Sequence, residues 1–220
     1  GVNYYDGQGF MVPKSLGVKS AKGLDGASVC IQTGTTTELN LAEYFKGNNI
    51  KYNPVPIETN AEAQELYKAG RCDVYTTDAS GLYATMMSFD NPSDHMVLPE
   101  IVSKEPLGPV VRHGDDQWAD IVSWVLRAMM AAEEKGITSK NVKELAAKDN
   151  KDKEINRLLG KDPLQGLSKL GLSADWAVNV ISQVGNYQES FEKHLFPLTI
   201  KRGMNALYRD GGLHYIPPIK

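Results

Sequence analysis

Short apolar runs and amphipathic stretches alternate along the first half of the chain, and each change of period marks an element. Gly26 to Thr33 reads as a buried strand, and Leu39 to Phe45 continues a helix begun at Thr35. Lys51 to Ile57 is a second strand, and Ala61 to Ala69 a second helix, closed by Gly70. The segment from Ala69 to Leu82 repeats the theme: a short β-rich strand stops at a polar edge and turns into a helix over Ser80 to Ser88. In a β-α-β-α-β order with right-handed crossovers, the first and third strands lie side by side and the strand C-termini share one edge. Phe10 to Pro13 and Met96 to Val102 add strands on either side, and Pro106 to Val111 marks a crossing between lobes. After Gly114 the pattern becomes helical. Asp115 or Asp116 caps a long helix with Trp118, Ile121, Val122, Val125 and Met129 on one face, a face that needs a core to cover. Helices over Ser139 to Lys148, Lys153 to Leu159, Ala174 to Val184 and Ile200 to Arg209 follow. With almost no strands, this half does not complete an α/β domain by itself.

Polar residues at the strand ends carry the candidate chemistry. Gly34 permits a sharp turn from strand to helix, and Thr35 with Glu38 matches a capping box. The next N–H groups, on Thr36 and Thr37, are left free at the positive end of a helix and suit a carboxylate or phosphate. A well-capped helix without a ligand is the plain alternative. Asp78, at the end of the neighbouring strand, would sit close to the Thr36–Thr37 turn. Donors for a carboxylate beside an acid that accepts from an ammonium describe a site for a free α-amino acid. Alternatively, Asp78 is only the N-cap of the helix that follows it.

Composition narrows the classes. The chain has 220 residues and a formal net charge of −3, with no basic cluster interleaved with aromatics, so nucleic acid is not an expected partner. No apolar run is long enough to span a membrane. Cys30 and Cys72, the only cysteines, lie near the starts of the two strands argued to be neighbours, where a disulfide is geometrically reasonable. Two buried free thiols are the alternative. The four histidines are scattered, so no metal site is expected. Phosphate-binding, dinucleotide and nucleophile-elbow motifs are absent, and no cofactor is implied.

Longer motifs carry a resemblance. Tyr-Tyr-Asp-Gly-Gln-Gly-Phe (4–10), Cys-Ile-Gln-Thr-Gly-Thr-Thr-Thr-Glu-Leu-Asn-Leu (30–41), Gly-Arg-Cys-Asp-Val-Tyr-Thr-Thr-Asp (70–78), Ser-Lys-Glu-Pro-Leu-Gly-Pro (103–109) and Gly-Asp-Asp-Gln-Trp (114–118) resemble the periplasmic amino-acid-binding proteins of ABC importers, in the polar or general L-amino-acid-binding subfamily. Gln-Val-Gly-Asn-Tyr (183–187) and the Gly-Gly-Leu…Pro-Pro-Ile ending extend the likeness over nearly the whole chain. The resemblance implies an α/β fold: a type II periplasmic-binding-protein lobe, its parallel-rich sheet covered by helices on both faces, plus a mainly helical C-terminal segment. Residues 6–105 would form the second lobe, and residues 1–5 and 106–220 the hinge return and the C-terminal part of the first.

Transferred by motif, Thr36 and Thr37 would bind the ligand carboxylate and Asp78 its ammonium. Thr35, Gln32 and Thr77 are further candidates for contacts. The implied function is non-catalytic: a periplasmic receptor takes free polar L-amino acids, such as glutamate or glutamine, to an ABC membrane permease. The alternatives are a truncated fragment with weak or no binding and a dehydratase-like enzyme on the same fold, for which Asp78 is the only candidate base. In the family an arginine and a Ser/Thr loop that clamp the carboxylate lie in a segment that would precede Gly1. Without them this chain is expected to bind at least about a hundredfold more weakly, or not at all, and to self-associate through the exposed lobe face near Trp118.

Overall fold

Runs of β-branched and aromatic residues bounded by glycine and proline form the strands of the first half. These are β1 (Tyr4–Asp6), β2 (Gln8–Pro13), β3 (Ser28–Gln32), β4 (Asn53–Ile57), β5 (Val74–Asp78), β6 (His95–Val97) and β7 (Glu105–Leu107). Helices α1 (Thr36–Gly47), α2 (Asn60–Lys68) and α3 (Ala79–Met87) connect them. The second half carries α4 (Asp116–Glu134), α5 (Val142–Ala147), α6 (Lys153–Leu158), α7 (Trp176–Val184) and α8 (Tyr187–Leu195). This computed structural model describes residues 1–161 and 170–219. It divides into two compact units: Tyr5–Leu107, and Gly1–Tyr4 together with Gly108–Lys220.

The first of these units is built on a five-stranded sheet of order β4-β3-β5-β2-β6. β3 pairs in parallel with β4 and with β5, placing the first and third strands of the β-α-β-α-β run side by side as expected. β2 is antiparallel to both β5 and β6, so the sheet is mixed and β2 alone runs against the other four. Alternation along the strands sends Phe10, Val12, Val29, Ile31 and Val74 to one face, against Leu41 and Phe45 of α1. Met11, Cys30 and Tyr75 go to the other face, against Ala63 and Tyr67 of α2 and Leu82 of α3. β4 tolerates Pro54 and Pro56 because it is an edge strand, where a missing N–H costs no ladder bond. The strand expected over Met96 to Val102 is regular only to Val97. Beyond it, Leu98 and Val102 still donate single bonds to the carbonyls of Phe10 and Gln8, at 2.8 and 2.9 Å, while Pro99 between them has no N–H to give.

The end of the sheet where β3 and β5 begin is fastened twice. The Asp73 carboxylate accepts from the Ser28 N–H at 2.8 Å and the Ser28 hydroxyl at 2.6 Å, and the Asp73 N–H donates to the Ser28 carbonyl at 2.9 Å. A disulfide joins Cys30 to Cys72 across the same pair, with Cα atoms 5.5 Å apart. With a sequence separation of 42 between the cysteines, the chain-entropy model gives a stabilisation of about 4 kcal/mol.

The other described unit is helical. Asp115 caps α4 by accepting from the Trp118 N–H at 3.2 Å, as expected. The apolar stripe of α4 is covered unevenly. Ala128, Met130, Ala131 and Ala132 are buried with Ile137, Val142, Ile181 and Phe191, whereas Trp118 is 52% exposed. The helix expected over Ile200 to Arg209 is replaced by short 3-10 turns at Gly203–Asn205 and Tyr208–Asp210. Thr199, just before this range, and Gly203 within it adopt left-handed conformations, and Ala206 is extended, so a continuous α-helix is broken at Gly203 and Ala206. α8 stands where no helix was expected. Its start is a complete capping box: the Asn186 side chain accepts from the Glu189 N–H, and the Glu189 carboxylate accepts from the Asn186 N–H, both at 2.9 Å.

His214 is buried beneath this helical layer. Its Nε2 lies 3.1 Å from the Tyr187 hydroxyl, which donates to the Asn3 carbonyl at 2.6 Å. Arg202 sits over the Tyr187 and Phe191 rings and pairs with the buried Glu133 at 2.8 Å. Burial, and secondarily the Arg202 charge, push the His214 imidazole down to about 4. Between the unfolded value near 6.5 and the folded value, the unfolded chain takes a proton that the folded chain refuses. Stability is therefore expected to fall as pH drops through that window, by roughly 3 kcal/mol from this group. Denaturant unfolding at pH 7 and pH 4.5 should show a smaller loss for His214→Gln than for the unaltered chain; equal losses would contradict the assignment.

Candidate functional site

The residues singled out at the strand ends converge on one edge of the sheet in the unit Tyr5–Leu107. From the paired positions Cys30 and Tyr75, three more residues bring the adjacent chains to Thr33 and Asp78. The antiparallel pairing of β2 with β5 adds the start of β2, setting Gln8 against Asp78 and Gly9 against Thr77.

At the β3–α1 turn, Gly34 has φ 71, a left-handed conformation that favours glycine. Thr35 is the N-cap of α1: its Oγ1 accepts from the Glu38 N–H at 3.3 Å and donates to the Gln32 carbonyl at 2.7 Å. The reciprocal half of the expected capping box is displaced by one residue. Glu38 accepts from the Gly34 N–H at 2.9 Å rather than from Thr35. Thr59 and Glu62 repeat this at α2, with Glu62 accepting from the Glu58 N–H. Thr36 and Thr37 are the first two residues of α1, where N–H groups have no intrahelical partner, and their N–H groups find no acceptor among the described residues. Thr36 is exposed and Thr37 half-buried.

Asp78 is the N-cap residue of α3, yet its side chain makes no capping hydrogen bond. Residues from β1 and the β1–β2 turn take that task. The Gly7 carbonyl accepts from the Ala79 N–H at 2.8 Å, and the Asp6 carboxylate accepts from the Ser80 hydroxyl and, at 3.4 Å, from the Ser80 N–H. Half-buried and, among the described residues, without a hydrogen bond to stabilise its charge, the Asp78 carboxyl is raised above the usual carboxylate range. Burial is the main cause, with the Asp6 and Glu105 carboxylates adding to it.

Two of the sequence candidates are otherwise occupied. Besides the Thr35 hydroxyl, the Gln32 amide is committed, donating to the Glu58 carbonyl at 3.0 Å. Thr77 lies half-buried on β5 beside Asp78. Cys30 and Cys72 serve the opposite end of the strands, as the disulfide.

Sequence reasoning passed over Asp6, Gly7 and Gln8. Gln8 is fully buried, and its amide donates to the Thr37 carbonyl at 3.1 Å and to the Thr76 hydroxyl at 3.0 Å, tying β2 to the first turn of α1. Gly7 has no room for a side chain: a Cβ would lie 2.7 Å from the Ser103 carbonyl oxygen and 2.2 Å from Ile101 Cγ2. The available signal was the pattern Asp6-Gly-Gln-Gly9, polar and glycine-rich at the mouth of an apolar strand.

No protein-family model matches the chain. Among curated proteins it is 57% identical over 223 residues to the general L-amino acid-binding periplasmic protein AapJ of Rhizobium johnstonii. It is 55% identical over 222 residues to the glutamate/glutamine/aspartate/asparagine-binding protein BztA of Rhodobacter capsulatus. Both alignments take in all of this chain and 65% of the relative, so the chain spans just under two-thirds of the length of these proteins. Among solved structures, an ABC transporter periplasmic binding protein from Brucella ovis, with glutathione bound, superposes with a TM-score of 0.93 at 51% identity. That superposition covers all of this chain and 70% of the Brucella one. Identity of this order, sustained from end to end on the same α/β fold, shows that the chain belongs to the periplasmic binding proteins of ABC transporters.

Proposed function

We propose that the chain is part of an extracytoplasmic solute receptor that binds free L-amino acids and delivers them to an ABC permease, without catalysing a reaction. The observation that carries this reading is the Asp78 carboxylate, left without a hydrogen bond among the described residues at the strand edge that also holds the Thr36 and Thr37 N–H groups. In this reading the ligand α-ammonium meets Asp78, and the α-carboxylate meets the first turn of α1. An ammonium is the partner that three neighbouring carboxylates favour. The Asp6 and Glu105 charges that disfavour an ionised Asp78 would attract a cation to it. Both ends of the clamp are common to all α-amino acids, which agrees with the breadth named for the Rhizobium and Rhodobacter relatives. Glutamate and glutamine are the proposed first ligands. Glutathione, bound by the Brucella protein, presents the same α-ammonium and α-carboxylate on its γ-glutamyl end.

The periplasm is the proposed location, supported by the periplasmic relatives and by a disulfide that persists in oxidising compartments. Residues 6–105 are proposed as the second, ligand-binding lobe, with 1–5 and 106–220 belonging to the first. The half-exposed start of α4 supports self-association of the free chain. A mass above the monomer in light scattering at high concentration is expected, and a monomer throughout would contradict it.

Calorimetric titration of the chain with L-glutamate, L-glutamine and glutathione tests the clamp. Saturable heat without turnover is expected. Asp78→Asn should weaken binding about 10- to 150-fold, the scale of one charge-assisted hydrogen bond. Because the Asp78 carboxyl is raised, affinity should begin to fall at a higher pH than an ordinary aspartate would give. Absence of binding to all three, or binding indifferent to Asp78→Asn, would overturn the proposal, and turnover of the bound amino acid would favour an enzyme.

A further inference from the structure

Asp78 occupies the position from which an aspartate normally caps a helix, with φ −53 and ψ 137 ahead of α3. Aspartate is among the preferred N-cap residues because its carboxylate accepts an N–H from the first turn. That bond is missing here although a donor is close at hand. The Ser80 N–H and hydroxyl are both given to Asp6, which approaches from β1, and the Ala79 N–H goes to the Gly7 carbonyl. Asp6 is itself oriented by the Gly7 N–H at 2.8 Å and is only 7% exposed. The Asp6–Gly7 corner cannot easily back away, because Gly7 is packed against Ser103 and Ile101 too closely to accept even a methyl group.

We infer that Asp6 is a positioning residue for the ligand site: by capping α3 from outside, it keeps the Asp78 carboxylate from folding back onto its own helix and leaves it turned to an ammonium. This rests on the reading of Asp78 given above. The arrangement also has an electrostatic consequence. Asp6 and Glu105 are the charged groups that act on Asp78, from β1 and β7, and both are acidic. The site is therefore held open with a surplus of negative charge that an incoming ammonium offsets. A neutral residue able to cap in place of Asp6 would preserve the geometry without that charge. A residue unable to cap would release Ser80 to Asp78.

Two variants of the full chain separate these effects. Asp6→Asn retains an oxygen acceptor and removes the charge; Asp6→Ala removes both. The carboxyl titration of Asp78 is followed by NMR in the ligand-free chain, and L-glutamate affinity by calorimetry. In the unaltered protein Asp78 should titrate above about 3.9, the value of an unperturbed aspartate. In Asp6→Ala it should titrate lower than in Asp6→Asn, because only the alanine variant lets it cap α3. L-Glutamate binding should weaken about tenfold in Asp6→Ala, the scale of a helix-capping bond, and stay within about threefold in Asp6→Asn. Equal Asp78 titrations in the two variants, or full affinity in Asp6→Ala, would overturn the inference. So would an Asp78 below about 3.9 in the unaltered protein, a measurement that decides the matter even where Asp6→Ala fails to fold. Should the titrations separate as expected while no amino acid binds any of the three proteins, Asp6 keeps its positioning role and the ammonium reading falls.

Discussion

The parallel register of β3 against β5 is the constraint on which the site depends. Both strands deliver their chemistry only after they end, so a slip of one residue would exchange the faces of every side chain and move Asp78 relative to the α1 turn. The register is fixed at the opposite end, where Ser28 and Asp73 exchange four hydrogen bonds and Cys30 is bonded to Cys72. Between the two ends lie apolar residues that alternate cleanly between two helical layers. Fastening and chemistry are thus separated along the strands, and the polar edge is spared from having to hold the sheet together.

At that edge, polar groups are divided between those that build the surface and those that remain available. Thr35, Glu38 and Gln32 satisfy the turn, and Gln8 ties α1 to the sheet from below. Asp6 and Gly7 satisfy the start of α3. Among the described residues, what is left over is the Asp78 carboxylate, the opening N–H groups of α1 and the buried Gln8 Oε1. A polar group is costly to leave unpaired in a buried setting, and the half-buried Asp78 shows it by resisting ionisation. A zwitterion would meet the carboxylate and the N–H groups at once, which is the physical content of proposing this edge as an amino-acid site.

Much of this was legible in the sequence because the signals are local. The strand–glycine–threonine passage at 31–38 specifies its own turn, and the order of elements from Gly26 to Leu82 leaves few ways to arrange the strands. Non-local terms were harder to read. Asp78 has the sequence context of an N-cap, and only the return of β2 beside β5 explains why it does not act as one. Gln8 looks like an ordinary strand residue until its burial under α1 is seen. In the helical unit, apolar content at Ile200 to Arg209 suggested a helix, but left-handed residues and a tight loop broke it. By contrast, the capping box at Asn186 and Glu189 was readable from spacing alone and announces a helix that apolar periodicity did not.

The most direct test of the central claim is a backbone-amide NMR titration of the chain with L-glutamate, compared with glutarate, which keeps both carboxylates and lacks the ammonium. Saturable shifts centred on the Thr36 and Thr37 amides and on Asp78 with L-glutamate, much weaker with glutarate, are the predicted result. Equal shifts with both ligands, or L-glutamate shifts centred away from that edge of the sheet, would contradict an amino-acid clamp at this site.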